Sequence, residues 1–269
     1  MKPEHKAPIA AIGVDRGGTW TRVAAFDRRL NRLREARLRS ADLRKLPAKL
    51  VPLVSGWPGG ALAPLVIATR GAFSQAWRKP FLMEALKGKL NILDVISDAE
   101  AAHRASFHGG AGFLLIAGTG AVVFGGRPGR FVKTGGHNPV SGDPGSGRWL
   151  GRHYLQMRGR LHEAEALGHG GSAAYAARLL ARAEAGSERC RLAVGAAWHE
   201  LASLLKEAAG RSRGPLRVAL AGGLMKSPYF RSGFEKEARA RLPGRRLTFT
   251  VPDIKAEAAA ARLALERNK

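Results

Sequence analysis

Short apolar runs and longer amphipathic stretches alternate along this chain, and glycine turns separate many of the runs. Short apolar runs are typical of buried strands, whereas apolar positions spaced three or four apart are typical of helices. The opening reads as strand, glycine turn, strand, short turn and a third strand that ends near Arg39. The stretch 112–134 repeats this rhythm, so we expect two structurally related α/β halves.

The remaining pattern predicts further elements and two lobes. Strands are expected in the apolar runs at 64–68, 91–97, 216–221 and 246–251. Helices are expected at 41–55, 77–89, from 98 onward, 149–166, 172–185, 192–210, 229–242 and 256–267. We place an N-terminal lobe at 1–105, joined by the final helix at 256–267, and a C-terminal lobe at 106–255.

Two glycine turns carry the candidate chemistry. The first is Gly13-Val14-Asp15-Arg16-Gly17-Gly18-Thr19, and the second is Gly118-Thr119-Gly120, which follows the apolar run at 112–117. Glycines at a hairpin tip let backbone N–H groups face an anion without an intervening Cβ. Asp15 ends the first strand, where its carboxylate could hold a hydrated Mg²⁺. The pair of turns predicts two phosphate-binding hairpins that face one cleft.

Composition and length exclude several classes of protein. The chain has 269 residues, of which 45% are hydrophobic and 25% charged, as in ordinary globular proteins. Its single cysteine, Cys190, excludes an internal disulfide and argues against an iron–sulfur or zinc site built by one chain. No apolar run is long enough to span a membrane, and residues 1–6 lack the apolar core of a signal peptide. We therefore expect a cytoplasmic protein without a membrane partner.

The formal net charge of +24 attracts nucleic acids, nucleotides and acidic metabolites alike. The densest basic run is 28–39, where Arg and Leu residues intermingle. One interpretation is a nucleic-acid-binding face, and the other is a solvated strand whose apolar side packs inward. Because basic residues are spread along the whole chain and no nucleic-acid motif is present, we favour the solvated strand and do not expect a nucleic-acid partner.

Five segments, in order, carry a resemblance to a known superfamily. They are the first glycine turn, Ser97-Asp98-Ala99-Glu100-Ala101, Ala117-Gly118-Thr119-Gly120-Ala121, the glycine-rich stretch at 135–147, and Val218-Ala219-Leu220-Ala221-Gly222-Gly223. Together they resemble the motifs of the sugar-kinase/actin/heat-shock ATPase superfamily. The resemblance is to its branch of N-acetylglucosamine kinases and benzoyl-CoA-reductase-type ATPases.

The resemblance implies two related lobes of ribonuclease-H-like fold, an acceptor lobe and a nucleotide lobe, with ATP and Mg²⁺ in an interdomain cleft. It implies that Asp15 positions the Mg²⁺ through water. The residues it assigns to the phosphates of ATP are Gly17, Gly18, Thr19, Gly118, Thr119 and Gly120. Gly222 and Gly223 would lie against the adenosine.

The same resemblance assigns the acceptor site. Asp98 would accept the proton of the acceptor hydroxyl, or orient it toward the phosphorus. Asp143, with Gly142, would hold hydroxyls of a sugar. Each aspartate also has a structural interpretation, a helix N-cap for Asp98 and a turn residue for Asp143.

The sequence departs from the family pattern at four positions. Arg16 replaces a small residue, Trp20 a common basic one and Pro144 a Glu, while Asp42 lies where an Asn tends to contact an amino sugar. Arg16 could either reach a phosphate or simply add to the basic field. These departures leave the identity of the acceptor open.

The expected function is an ATP-dependent phosphotransferase that acts on a small sugar, N-acetylglucosamine or a related amino sugar. One alternative is an activator ATPase that acts on a protein partner, which a single cysteine disfavours. Another is a basic nucleotide- or nucleic-acid-binding protein that has lost catalysis. The sequence also allows a homodimer.

Overall fold

The computed structural model describes residues 7–17, 19–73, 75–127, 130–138, 142–210 and 214–268. Gly18, one of the expected phosphate-binding residues, lies outside the described residues. The chain divides into two compact units. The N-terminal unit runs to His108 and includes the segment from Ile254 onward, and the C-terminal unit spans Gly109–Asp253.

Ten strands and nine α-helices are formed within the described residues. The strands are β1 (Ala11–Arg16), β2 (Trp20–Phe26), β3 (Arg32–Arg39), β4 (Leu65–Thr69), β5 (Ile92–Ser97), β6 (Gly112–Ala117), β7 (Ala121–Arg127), β8 (Arg130–Gly135), β9 (Leu216–Ala221) and β10 (Leu247–Thr250). The helices are α1 (Leu46–Ser55), α2 (Arg78–Leu86), α3 (Asp98–Phe107), α4 (Gly147–Met157), α5 (Glu163–Ala166), α6 (Gly168–Glu184), α7 (Glu188–Ala209), α8 (Pro228–Arg241) and α9 (Ala256–Arg267).

The two units contain sheets of the same topology. The N-terminal sheet has the order β3-β2-β1-β4-β5, with β1–β2 and β2–β3 antiparallel and β1–β4 and β4–β5 parallel. The C-terminal sheet has the order β8-β7-β6-β9-β10, with the same sequence of antiparallel and parallel pairs. The expected α/β fold with two related halves is confirmed.

The N-terminal sheet is covered on both faces. On one face Ile12 and Val14 of β1 are buried in a cluster with residues of α1 and α2, including Leu50 and Leu82. On the other face small residues of β1, β2 and β4 are buried against α9, whose alanines allow close packing. Because successive residues of a strand point to opposite faces, adjacent residues of β1 pack against α1 and α2 on one side and against α9 on the other.

In the described part of the C-terminal unit, a large hydrophobic cluster is built on β6, β7 and β9. Leu115 and Val123 are fully buried in it, together with Leu150 of α4, Leu201 of α7 and Phe230 of α8. α4 packs closely on α6, and a Cβ on Gly151 would overlap the carbonyl oxygen of Ser172. This core supports the strand ends that carry the second glycine turn.

The helix expected at 149–166 is two helices. α4 ends at Met157, and Gly159 has a φ of +69°, a left-handed conformation that ends helices and favours glycine. The N–H of Arg160 donates to the carbonyl oxygen of Leu155 at 2.8 Å, which closes the turn before α5 begins. Within the described part of the chain, no helix has the length and apolar character needed to cross a membrane.

Candidate active site

The parallel strands of the N-terminal sheet end in one row. Arg16 is the register partner of Thr69, and Thr69 is the register partner of Ser97. The carboxyl ends of parallel strands are where α/β proteins commonly bind ligands. The first glycine turn follows β1, and Asp98 follows β5, so both leave this same edge of the sheet.

The first glycine turn closes the β1–β2 hairpin. The N–H of Gly17 donates to the carbonyl oxygen of Trp20 at 3.0 Å. The carbonyl oxygen of Thr19 accepts the N–H of Ser40 at 3.0 Å, and the hydroxyls of Thr21 and Ser40 are also 3.0 Å apart. The turn is therefore held both by its own hairpin and by the segment after β3.

Asp15 has a carboxylate under competing electrostatic influences. It forms an ion pair with Arg22, its register partner on β2, at 3.2 Å. Burial is the main effect on Asp15 and raises the pKa of its carboxyl group. Arg22 lowers that pKa, whereas Glu257 and Asp98 raise it. The carboxylates of Asp98 on α3 and Glu257 on α9 therefore interact electrostatically with that of Asp15 on β1.

Asp98 is the first residue of α3 and does not cap it. The N-cap is Ser97, whose hydroxyl accepts the N–H of Glu100 at 3.0 Å. One carboxylate oxygen of Asp98 accepts the N–H of Ala99 at 2.9 Å, and the residue is partly exposed. Because Ser97 supplies the cap, the capping interpretation of Asp98 falls away.

Glu257 is a buried charged residue that sequence reasoning did not single out. It lies in the first turn of α9 with only 6% of its surface exposed, and its carboxylate accepts a 2.8 Å bond from Arg32 of β3. The sequence signal was a single acidic residue at the start of an alanine-rich helix. That signal is weak because acidic residues are common in first turns for reasons of helix stability alone.

The second glycine turn is built into the C-terminal unit. The N–H of Gly147 donates to the carbonyl oxygen of Gly118 at 2.7 Å, and the N–H of Arg148 donates to that of Thr119 at 3.2 Å. Thr119 and Gly120 are exposed at the tip. Hydrogen bonds from the first turn of α4 therefore hold the second glycine turn in place, and the tip of the turn stays accessible to a ligand.

The Gly222-Gly223 segment lies beside this turn. β6 and β9 are parallel neighbours, so their carboxyl ends meet. Gly222 has a φ of +96°, and a Cβ there would overlap the carbonyl oxygen of Ala117. A Cβ on Gly118 would lie 3.9 Å from the nitrogen of Gly223. The structure thus brings two of the predicted nucleotide-binding segments together.

Asp143 is buried, and both of its carboxylate oxygens accept backbone N–H groups. One accepts from Ala121 at 2.9 Å and the other from Asn138 at 3.0 Å. A Cβ on Gly120 would lie 2.7 Å from the first of these oxygens. Gly142 precedes Asp143 with a φ of +87°. These contacts join the second glycine turn to the glycine-rich loop, while the predicted bond to a sugar hydroxyl stays a prediction.

The donor set around Asp15 suits a hydrated cation. In the described ranges, no group of three or more His, Cys, Asp or Glu residues is arranged to ligate a metal ion. Mg²⁺ is commonly held by one or two carboxylates, with water and substrate phosphates as its other ligands. The carboxylate of Asp15 at the sheet edge therefore fits its expected role.

Comparisons with known proteins show which solved structures share this architecture. No protein-family model matches the chain, and no curated protein matches it. A provisionally named N-acetylglucosamine kinase from Chromobacterium violaceum aligns with a TM-score of 0.69 and 22% identity, over 94% of this chain and 98% of that one. A second kinase with that provisional name, from Porphyromonas gingivalis, aligns with a TM-score of 0.70 and 15% identity, over 96% and 99%.

A glucokinase of the ROK family from Streptomyces griseus, whose structure holds glucose and AMPPNP, aligns with a TM-score of 0.58 and 18% identity, over 95% and 99%. These alignments span nearly the whole of each chain. The chain has the fold of these sugar kinases. Within this sugar-kinase fold, Asp15 and Asp98 belong to the N-terminal unit, whereas the second turn, Gly222 and Asp143 belong to the C-terminal unit.

Proposed function

We propose that this chain is an ATP-dependent sugar kinase with Asp98 as its general base. The observation that carries the proposal is the position of Asp98. It begins α3 at the edge of the sheet where β1, β4 and β5 end, and Ser97 rather than Asp98 caps the helix. A carboxylate that the fold does not need for capping is available to an acceptor hydroxyl.

The chemistry needs alignment and charge neutralisation more than covalent help. Mg²⁺ would supply neutralisation of the charge on the phosphate oxygens. Asp15 would orient it through water, and the backbone of both glycine turns would bind the phosphate groups. Asp98 would accept the proton of the acceptor hydroxyl as that oxygen attacks the terminal phosphorus, while ADP departs.

The nucleotide assignment is supported by the arrangement in the C-terminal unit. The tip of the second turn is exposed, and Gly223 has no atom within 4 Å of where its Cβ would be. Open backbone next to the turn suits an adenosine that lies flat against the chain. The AMPPNP in the Streptomyces griseus glucokinase, which shares the fold, supports ATP as the donor.

We propose N-acetylglucosamine or a related amino sugar as the acceptor. The provisional names of the kinases from Chromobacterium violaceum and Porphyromonas gingivalis support this choice. Cys190 is buried in the core of the C-terminal unit, which disfavours the alternative of an activator ATPase with an exposed cluster.

A sugar panel tests the proposal. ADP release is measured with Mg-ATP and N-acetylglucosamine, N-acetylmannosamine, glucosamine or glucose. Asp98→Ala should lower turnover by about 10²- to 10⁴-fold while ATP still binds with similar affinity. The control is Glu266→Gln, which removes an exposed carboxylate at the end of α9. Unchanged turnover in Asp98→Ala would remove the proposed base.

A further inference from the structure

The β2–β3 hairpin of the N-terminal unit is strongly basic. From Trp20 to Arg39 it has seven arginines and two acidic residues, Asp27 and Glu35. The sequence by itself favours a solvated strand here, because basic residues are spread along the whole chain. The strand register shows which of these arginines share a surface.

Three of the arginines lie on one face of the sheet together with Trp20. Trp20 is the register partner of Arg39, and Arg22 is the register partner of Arg37. Register partners on neighbouring strands, and residues two apart on one strand, point to the same face. Arg22, Arg37 and Arg39 are exposed there, and Trp20 is half-buried. We call these four residues the arginine face.

The arginine face lies on the same side of the sheet as Asp15. Asp15 is the register partner of Arg22, and their side chains form the 3.2 Å ion pair. α9 covers this side of the sheet at Ala24 and Phe26, toward the other end of β2. The exposed arginines are therefore at the end of β2 that is nearer the first glycine turn.

The ring of Trp20 orients two of the guanidinium groups. Those of Arg37 and Arg39 lie 3.9 Å and 4.9 Å from the centre of the ring. Such contacts hold a cation in place without cancelling its charge. Among the residues that the structure describes, no carboxylate forms an ion pair with Arg37 or Arg39.

Arg32, near the other end of β3, has its charge compensated. It forms ion pairs with Glu35 of its own strand and, at 2.8 Å, with Glu257 of α9. Within the arginine face, the carboxylate of Asp15 compensates Arg22 in the same way. The positive excess of this surface therefore lies at the two arginines that contact Trp20.

The arrangement of the arginines has an energetic cost. Like charges on directly opposite residues of neighbouring strands destabilise a sheet, and Arg22 and Arg37 are such a pair. Charged residues on an edge strand such as β3 prevent aggregation, but that purpose requires neither a like-charged pair nor an aromatic ring. Because a bound anion would relieve the repulsion, the arrangement favours an anion-binding surface over a merely solvated strand.

The chemistry of the arginine face suits a polyanion that has planar groups. A guanidinium group binds phosphate through two N–H groups at once. Arg37 and Arg39 are two residues apart on an extended strand, so their α-carbons are about 6.8 Å apart and they can bind separate phosphates. The bases of a single-stranded nucleic acid stack on tryptophan rings and on guanidinium planes. In a duplex the bases already stack on one another, so a single strand fits this surface better.

We propose that the arginine face binds single-stranded nucleic acid. Arg37 and Arg39 bind its phosphates, and a base stacks on the cluster that they form with Trp20. This function goes beyond the proposed kinase and does not depend on it. The binding measurements are made without sugar, whereas the sugar panel tests the kinase, so the two proposals can fail separately.

Salt-dependent binding tests the inference. Fluorescence anisotropy measures the affinity for a labelled single-stranded oligonucleotide of about 16 nucleotides at several salt concentrations. Replacing both arginines, Arg37→Gln and Arg39→Gln, should lower the affinity by about tenfold or more, because two phosphate contacts are lost. The slope of log K against log salt concentration should become shallower by about 1.4, since each contact to a single strand contributes about 0.7. Melting temperatures verify that the variant folds.

The matched control removes two charges elsewhere. Arg182→Gln together with Arg189→Gln changes exposed residues of α6 and α7 in the other unit. Both double variants have the same net charge, but the control should lose affinity by only about twofold or less. Equal losses would mean that the net charge of +24 alone attracts the oligonucleotide, and would overturn the inference.

Two competitors identify the class of ligand. Inorganic polyphosphate has the charge without bases, and a duplex of the same length has bases that are not free to stack. At equal phosphate concentration, we expect both to displace the labelled oligonucleotide less effectively than the unlabelled single strand does. Polyphosphate or duplex that competes equally well would contradict a surface for single-stranded nucleic acid.

Mg-ATP tests whether the arginine face belongs to the nucleotide site instead. At constant ionic strength, saturating Mg-ATP should leave the oligonucleotide bound. Complete displacement by Mg-ATP would assign Arg37 and Arg39 to the nucleotide and overturn the inference.

Discussion

Gly13 of β1 lies so close to Glu257 of α9 that a Cβ on the glycine would overlap the glutamate's carbonyl oxygen. This approach joins the first strand of the chain to its last helix within the N-terminal unit. It also brings the Glu257 carboxylate near Asp15, and the charge of Glu257 raises the pKa of Asp15. The geometry of the proposed metal-binding carboxylate therefore depends on a contact between residues near opposite ends of the sequence.

Gly13→Ala should destabilise the protein by about 3 kcal/mol, because the backbone of α9 would have to move away from β1. Urea unfolding measures the loss. The matched control is Gly195→Ala in the interior of α7, where a Cβ would meet no atom within 4 Å. There the change should stabilise by about 0.5–1 kcal/mol, since alanine is the better helix former. Equal effects at both sites would contradict this account of Gly13.

Asp15→Asn should raise the melting temperature at neutral pH and abolish Mg-ATP turnover. The pKa of Asp15 is raised by burial, so its ionised form is less stable in the folded protein than in the unfolded chain. The cost is present above the folded pKa and disappears as the pH falls toward the ordinary value of 3.8. The stability advantage of the variant should therefore shrink in acid. A variant less stable than the parent at pH 7 would show that the Arg22 ion pair outweighs burial.

Asp143→Asn should cost about 1–3 kcal/mol, because an amide offers one acceptor where the carboxylate serves two buried N–H groups. If Asp143 acts by holding the second glycine turn, KM for ATP should rise more than KM for the sugar. If it binds a sugar hydroxyl, as the motif predicts, KM for the sugar should rise first. Steady-state kinetics with each substrate varied in turn separates the two roles.

Gly222→Ala should weaken nucleotide binding as well as stability. The residue has a φ of +96°, and an alanine Cβ would overlap the carbonyl oxygen of Ala117 beside the second turn. A loss of about 1–3 kcal/mol in unfolding free energy is expected from this conformation and contact. Fluorescence titration with ATP measures the binding. Tight ATP binding in a destabilised variant would remove Gly222 from the nucleotide site.

The regular elements were largely predictable from local pattern. The structure forms β6, β9 and α9 at the expected bounds of 112–117, 216–221 and 256–267. Glycine or proline on either side of an apolar run limits the strand at both ends. An uninterrupted alanine-rich stretch favours a helix. The break after α4 was missed because Gly159 looks like any helix-interior glycine until its φ is known.

Individual roles at the candidate site were less predictable. Ser97 and Asp98 are both good N-caps, and only the structure shows which one bonds to the first turn of α3. The bonds of Asp143 to Ala121 and Asn138 depend on how two loops meet. Such contacts join residues far apart in sequence, and local periodicity carries no information about them.

The sequence by itself determined the α/β class, the two related halves and the order of the glycine turns, because each depends on neighbours along the chain. Tertiary structure alone decided that Glu257 raises the pKa of Asp15 and that Arg78 lowers the pKa of Arg16. Strand register and helix packing bring these charges together. Electrostatic interaction depends on distance in space and on burial, which the order of residues does not specify.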